Sequence, residues 1–129
     1  MSGRYLLDTN IAIAILEKEI DLEQRRDSGL EAFLNTNVLG ELFFGAEKSR
    51  RVEENVARIQ AFASRCPVLS CDQDTARHYG IVKRSLQGKG RPIPENDIWI
   101  AASARQHGLT LVTRDGHFGS VEDLIVERW

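Results

Sequence analysis

Four acidic side chains stand beside apolar segments that must pack into a core. Asp8 interrupts the apolar stretch RYLLDTNIAIAIL, and Asp115 follows the apolar stretch LTLVT. Glu41 is followed by LFFGA and Asp97 by IWIAA. Burying an unpaired carboxylate is costly or forces it to protonate. These positions therefore call for a chemical explanation as well as a structural one.

Each acid taken alone has a structural interpretation, since an acid in the first turn of a helix gains ~0.3 to 1 kcal/mol and Asp caps helices and starts turns. Taken together, the acids lack matching basic partners, because only Arg114 adjoins any of them. Gathered in one place they would repel, and some would have raised pKa values. A divalent cation would relieve that repulsion. Carboxylate oxygens suit Mg²⁺ or Mn²⁺, whereas the absence of His and Cys from the set disfavours zinc.

The elements that must position these acids alternate along the chain. Apolar and β-branched runs predict strands over 4–8, 30–35, 67–70, 109–113 and 123–129. Helical periodicity predicts helices over 9–19, 38–49, 52–64, from Asp72 or Asp74 to about 87, and over 95–107, with a frayed helix end and loop over 18–28. This alternation predicts an α/β sandwich with a mainly parallel central sheet of four to five strands.

Parallel strands bring their carboxyl ends to one edge of the sheet, where ligands bind in such folds. Asp8 and Asp115 follow strands directly, and the other two acids lie in the first turns of helices that begin near that edge. The helix after strand one is expected to be capped by Thr9 or Asn10, and the helix carrying Glu41 by Thr36 or Asn37. Gly108 fits the end of the helix over 95–107.

Composition indicates one globular domain. The chain has 129 residues, of which 42% are hydrophobic and 28% charged. Its apolar runs fall short of the ~20 residues that a membrane helix needs, so a cytosolic protein is expected. Cys66 and Cys71 flank a predicted strand at about 16 Å, beyond disulfide reach, and two free thiols suit a reducing compartment.

Four segments resemble, in order and spacing, the motifs of PIN-domain ribonucleases, and most closely those of VapC-like toxins of toxin and antitoxin pairs. They are LLDTNIAI, NVLGELFFGA, GRPIPENDIWIAASA and LTLVTRDGHF. The resemblance spans nearly the whole chain, so it implies a PIN-like domain over residues 1–129 and an α/β/α sandwich. It also implies an endoribonuclease that depends on Mg²⁺, with Mn²⁺ as a substitute.

The resemblance further implies a set of site residues. The catalytic acids are Asp8, Glu41, Asp97 and Asp115, of which Asp8, Asp97 and Asp115 hold the metal, and the supporting polar residues are Thr9, Asn10 and Thr113. The implied mechanism is in-line attack by a metal-activated water, which leaves a 5′-phosphate and a 3′-hydroxyl. Val38 stands where the family more often has Ser or Thr, which leaves the cap of that helix open.

Local charge suggests where RNA could lie, although the net charge is only −2. Residues 77–91 contain five basic residues and no acid. Lys89, Arg91 and Arg114 are possible phosphate contacts. The alternatives are a solvated helix face for residues 77–91 and a carboxylate partner for Arg114. His117 is expected to be an exposed loop residue, and Tyr79 and Trp99 to be core residues.

Two helices are apolar on more than one face, namely those that begin near Asp8 and near Glu41. This excess surface favours a groove for a partner helix or a self-association face, with simple two-sided burial as the alternative. In the resembled family the partner is an antitoxin whose C-terminal segment covers the acidic site, and the toxin commonly forms a homodimer.

Two other functions compete with the nuclease. Acids at the carboxyl ends of parallel strands also hold Mg²⁺ in receiver-like signalling domains, but that design needs paired early acids and a late Lys that this chain does not offer. A catalytically silent RNA-binding scaffold is the other alternative, and four intact acids argue against it.

Overall fold

A computed structural model describes residues 3–129 and contains a five-stranded sheet. The strands are β1 (Gly3–Leu7), β2 (Leu30–Asn35), β3 (Val68–Leu69), β4 (Thr110–Val112) and β5 (Val126–Glu127). Their order is β3-β2-β1-β4-β5, and every neighbouring pair is parallel. The predicted α/β architecture with a parallel central sheet is confirmed. All strands therefore present their carboxyl ends at one edge.

Over residues 3–129, six α-helices and one 3₁₀ turn connect the strands. They are α1 (Thr9–Leu16), α2 (Leu22–Asp27), α3 (Thr36–Glu47), α4 (Val52–Arg65), α5 (Gln73–Gly88), α6 (Glu95–His107) and the turn Gly116–Ser120. The prediction of a loop over 18–28 is wrong, because α2 forms there. Asp21 caps it by accepting a hydrogen bond from the Gln24 backbone N–H, and Leu22 anchors it in the core.

The residues that cap α1 and α3 differ from those predicted from the sequence. Asp8, not Thr9 or Asn10, caps α1 and accepts from the Thr9 N–H at 2.8 Å. Asn35, not Thr36 or Asn37, caps α3 and accepts from the Val38 N–H at 2.9 Å. In both places the cap is the extended residue immediately before the helix: Asp8 directly follows β1, and Asn35 is the last residue of β2. Asn35 thus supplies the cap of α3 that the sequence left undecided because Val38 is not a Ser or Thr.

The core lies on both faces of the sheet. Leu6 and Leu7 of the central strand are fully buried, as are Phe62 of α4 and Phe118 of the 3₁₀ turn. Gly108 ends α6 in the left-handed conformation, with φ of 64°, where glycine carries no steric penalty. None of the helices over residues 3–129 is long and apolar enough to cross a membrane.

Candidate active site

Asp8 lies at the carboxyl end of the central strand and is only 3% exposed. Its Oδ2 accepts a hydrogen bond from the Thr113 hydroxyl at 2.7 Å, and its Oδ1 accepts from the Thr9 N–H. Burial raises the pKa of Asp8; those hydrogen bonds offset the shift in part, and the charges of Asp97 and Glu41 add to it. The fold therefore holds a carboxylate where its negative charge is unfavourable.

Asp97 interacts electrostatically with each of the other predicted acids. It lies in the first turn of α6, which begins after Pro94, and its side chain is 15% exposed. Burial raises its pKa, His117 opposes the shift, and the charges of Glu41 and Asp115 raise it further. Asp97 also raises the pKa of Asp8. The fold thus brings all four predicted acids into one electrostatic neighbourhood.

His117 lies between two of these acids. Its Nε2 is 2.7 Å from Asp97 Oδ2, and its Nδ1 is 3.5 Å from Asp115 Oδ1. The expectation of an exposed loop histidine is wrong, and so is the premise that the acidic set contains no histidine. The reason is the 3₁₀ turn after Asp115, in which the fully buried Phe118 draws its neighbour against α6. The apolar anchor in RDGHF was the available sequence signal.

Thr113 and Asn10 hold the strand ends in place. The Thr113 hydroxyl donates to Asp8 and accepts from the Asp115 backbone N–H at 3.0 Å. The Asn10 amide reaches the Thr113 hydroxyl at 3.4 Å and Asp8 Oδ2 at 3.5 Å, and its carbonyl accepts from the Arg114 N–H at 3.1 Å. Thr9 contributes its backbone N–H, whereas its hydroxyl is buried without a hydrogen-bond partner among residues 3–129.

Glu41 is held by an amide network that the sequence reasoning missed. Its Oε1 accepts from the Asn96 side chain, whose Oδ1 accepts from Asn37 Nδ2 at 2.9 Å. The Cys71 thiol donates in turn to Asn37 Oδ1 at 3.0 Å. Asn96 immediately precedes Asp97, so its position beside the site could have been read from the start of α6.

The predicted phosphate contacts lie outside this cluster, and two of them have protein partners. Arg114 forms an ion pair with Glu19 at 3.5 Å rather than with a site carboxylate. Lys89 pairs with Glu122 at 3.2 Å, and Arg91 is exposed. Contact of these three residues with RNA stays a prediction. The expected core positions Tyr79 and Trp99 are partly buried and stack on each other, with ring centroids 4.2 Å apart.

An apolar groove adjoins the acids between α1, α3 and α4. The residues that line it include Ile13, Leu16, Leu42, Ala46 and Ile59. Glu41 lies at its edge. Two-sided burial explains most of α1, because Ile11, Ala12 and Ala14 are buried, but Ile13 keeps 43% exposure and faces this groove.

Comparisons with known proteins identify the family. The family model for the PIN domain matches residues 5–124. The chain belongs to the PIN-domain family. It is similar to "Ribonuclease VapC2" of Haemophilus influenzae and to "tRNA(fMet)-specific endonuclease VapC" of Shigella flexneri, each 38% identical with 98% of both chains covered. The solved DNA-bound VapBC of Salmonella typhimurium has a TM-score of 0.89 at 32% identity, with 98% of both chains covered. The resemblance to VapC-like PIN domains is thus confirmed.

The chemistry of this PIN domain's donor set fits a divalent cation. Ligand atoms of Asp97, Asp115 and His117 all lie within 4.8 Å of one another. Asp8, which is buried, and Asp97, which is partly buried, have raised pKa values, so positive charge placed beside them would relieve a cost that the fold otherwise bears. This group contains two carboxylates and one imidazole, and Asp8 lies outside it. Carboxylate oxygens suit Mg²⁺ or Mn²⁺.

Proposed function

We propose that this chain is a divalent-metal-dependent endoribonuclease and the toxin component of a toxin-antitoxin pair. The observation that carries the proposal is the convergence of Asp8, Glu41, Asp97 and Asp115 at the carboxyl edge of a PIN-domain sheet. Relatives that align over 98% of this chain are named ribonucleases and an RNA endonuclease. No observation favours a receiver-like domain or a silent scaffold over this function.

The proposed roles follow from placement. Asp8, Asp97 and Asp115 hold the cation, and Glu41 completes the negative rim on the α3 side. When bound, Mg²⁺ or Mn²⁺ supplies the positive charge that orients the scissile phosphate, activates the attacking water and neutralises the leaving oxygen. Thr113 fixes the carboxylate of Asp8 and, through the Asp115 backbone N–H, the turn that carries Asp115. Burial keeps the Asp8 and Asp97 side chains in fixed positions before RNA arrives.

Cleavage assays test the nuclease directly. Purified protein is incubated with transfer, ribosomal and messenger RNA in Mg²⁺, in Mn²⁺ and in EDTA, and the RNA ends are sequenced. We expect metal-dependent cuts that leave 5′-phosphates and 3′-hydroxyls. Cleavage that persists in EDTA, or fragments with 2′,3′-cyclic phosphates, would contradict metal-assisted attack by water. The receiver-like alternative predicts phosphorylation by acetyl phosphate instead.

We also propose an antitoxin as the protein partner of this chain and the cytoplasm as its location. We propose that an antitoxin segment lies in the apolar groove between α1, α3 and α4, since Glu41 is among the residues that line this groove and Ile13 is exposed in it. The similar Salmonella typhimurium protein was solved as DNA-bound VapBC. A homodimer or a toxin-antitoxin hetero-oligomer is the proposed assembly. Two free cysteines suit a reducing cytoplasm.

Co-expression with a candidate antitoxin, sought among the reading frames next to the gene, tests the partner. A stable complex that loses ribonuclease activity is the expected result. Ile13→Asp would place a charge in the groove and should weaken the complex while the free toxin still cleaves RNA. An unchanged complex with Ile13→Asp would remove the groove as the docking site.

A further inference from the structure

Glu41 also lines a second groove, which shares no other residue with the apolar groove. It is an open depression of about 450 Å³ lined by Thr36, Asn37, Gly40, Glu41, Phe44 and Asn96, called here the Phe44 groove. Its floor is smooth at Gly40, where an added Cβ would meet nothing within 4 Å. The groove is thus continuous with the acidic site and is walled by side-chain amides and one aromatic ring.

Phe44 is the feature of this groove that core packing does not explain. It is 64% exposed, although its neighbours Leu42 and Ala46 are buried. The Lys48 Nζ lies over its ring, 4.4 Å from the centroid, and so forms a cation–π contact with it. A large exposed aromatic ring beside a cation is the equipment with which proteins stack nucleobases and hold the neighbouring phosphates.

Positive charge continues beyond the ring at the end of α3. Lys48, Arg50 and Arg51 are all exposed, and among residues 3–129 only Arg51 forms an ion pair, with Glu54 at 3.4 Å. Asn37, Glu41, Phe44 and Lys48 follow one another at the three- and four-residue spacing that puts side chains on one face of a helix. Lys48, the cap at the end of α3, is seven positions after Glu41, a helical rise of about 10 Å.

We infer that the Phe44 groove is a nucleotide-binding subsite, in which Phe44 stacks a base that flanks the scissile phosphate while Lys48 and Arg50 hold the adjoining backbone. The inference rests on the proposed ribonuclease function and adds a position for the RNA strand. Single-stranded RNA is the ligand class, because a stacked base must be splayed out of a duplex to reach an aromatic side chain. The amides of Asn37 and Asn96 lie where they can contact the edge of that base.

Replacing the aromatic ring tests the stacking. The variants Phe44→Ala, Phe44→Leu and Phe44→Trp are made in the Asp8→Asn background, and binding of a short fluorescein-labelled single-stranded RNA is measured by anisotropy in Mg²⁺. We expect Ala and Leu to weaken binding by about fivefold or more, the effect of losing one stacked base, and Trp to retain it. Because Phe44 is exposed, all three variants should keep the melting temperature of their Asp8→Asn parent.

Leucine separates base stacking from ordinary apolar contact. If Leu restores binding as well as Trp does, the ring is not stacking a base and the inference is overturned. Ile125→Ala is the matched control, because Ile125 is also strongly exposed, at 71%, but lies immediately before β5. Equal losses for Ile125→Ala and Phe44→Ala would likewise overturn the inference.

Two further readouts locate the strand. In Phe44→Trp, RNA should quench more fluorescence than in the parent, which already carries Trp99 and Trp129. The double variant Lys48→Ala, Arg50→Ala should lower the salt dependence of binding, because each lost phosphate contact reduces the slope by about one. Equal quenching and an unchanged slope would place the strand elsewhere.

These measurements distinguish an error in the Phe44 subsite from an error in the ribonuclease function. If the wild-type chain cleaves RNA with metal but the Phe44 variants bind RNA as tightly as their Asp8→Asn parent does, only the subsite is wrong. If the wild-type chain neither binds nor cleaves RNA under any metal condition, the ribonuclease function itself is wrong.

Discussion

The first turn of α6 holds two acids with opposite electrostatics. Glu95 accepts hydrogen bonds from Lys83 and Tyr79, and its pKa is lowered by those partners. Asp97, two residues on, is turned inward, and burial raises its pKa. Lys83 and Tyr79 stabilise Glu95 as an anion, whereas the pKa of Asp97 stays raised although His117 opposes the shift. Glu95 therefore has partners within the fold that favour its charge, whereas burial makes the charge of Asp97 unfavourable.

The same contrast holds between helix caps. Asp72 caps α5 in a reciprocal capping box with Thr75, and its pKa is lowered mainly by the Thr75 backbone N–H. Asp8 caps α1, yet burial raises its pKa despite its hydrogen bonds. A cap therefore explains why an acid is tolerated at a strand end, but not why it is buried beside Asp97 and Glu41.

The largest expected effect is on cleavage. Asp97→Asn should reduce the rate of RNA cleavage by more than about 100-fold, since even residues that only orient a metal ligand cost up to that factor. Glu95→Gln is the matched control in the same turn and should cleave like wild type. Rates are measured on the same RNA in Mg²⁺. Similar losses in both variants would erase the distinction between the two acids.

Metal should change stability as well as activity. Adding Mn²⁺ should raise the melting temperature of the wild-type chain, because a ligand that binds only the folded state stabilises it. Asp97→Asn should show a much smaller rise, while Glu95→Gln should match wild type. Differential scanning fluorimetry with and without EDTA measures this. A rise that is unaffected by Asp97→Asn would place the metal elsewhere.

The pH dependence of stability should have opposite signs at the two caps. Because the pKa of Asp8 is raised in the fold, its ionisation lowers stability as pH rises from about 3.8 through the folded pKa. Asp8→Asn, without metal, should therefore gain stability relative to wild type toward neutral pH. Asp72 has a lowered pKa, so its contribution is present above about 3.8 and is lost as pH falls through the folded pKa.

Urea unfolding at several pH values measures both trends. In acid, the stability gained by Asp8→Asn and the stability lost by Asp72→Asn should both shrink, because both wild-type acids are then protonated. Only the sign at neutral pH differs. An Asp8→Asn variant that is less stable than wild type at neutral pH would contradict the burial argument.

The smallest effect separates the cap from the charge at Asp8. Asparagine keeps a side-chain oxygen for the Thr9 N–H, whereas alanine does not, so Asp8→Ala should be less stable than Asp8→Asn by about 1 kcal/mol. Urea unfolding near neutral pH without metal measures the difference. Equal stabilities would mean that the hydrogen bond at 2.8 Å contributes nothing.

The sequence was sufficient for features that depend on local pattern. Alternating strands and helices predicted the parallel sheet, and the acids that follow strands or begin helices, such as Asp8 and Asp97, could be placed at its carboxyl edge. The loop predicted over 18–28 was wrong because one buried side chain, Leu22, and the Asp21 cap were enough to form α2.

Contacts between distant segments could not be predicted in this way. His117 reaches Asp97 only because Phe118 is buried beneath the turn, and Asn96 reaches Glu41 only because α3 and α6 pack side by side. Exposure was equally hidden, since Phe43 and Phe44 look alike in sequence, but only Phe44 is left largely exposed. These features arise from tertiary packing rather than from the residue types.

Calorimetric titration of the metal-free protein with Mn²⁺ tests most directly whether the buried acids share a cation. The wild-type chain should bind Mn²⁺ saturably, Asp8→Asn and Asp97→Asn should each lose most of that affinity, and Glu95→Gln should bind like wild type. If Asp8→Asn and Asp97→Asn bind Mn²⁺ as tightly as wild type does, the acidic cluster is not the metal site.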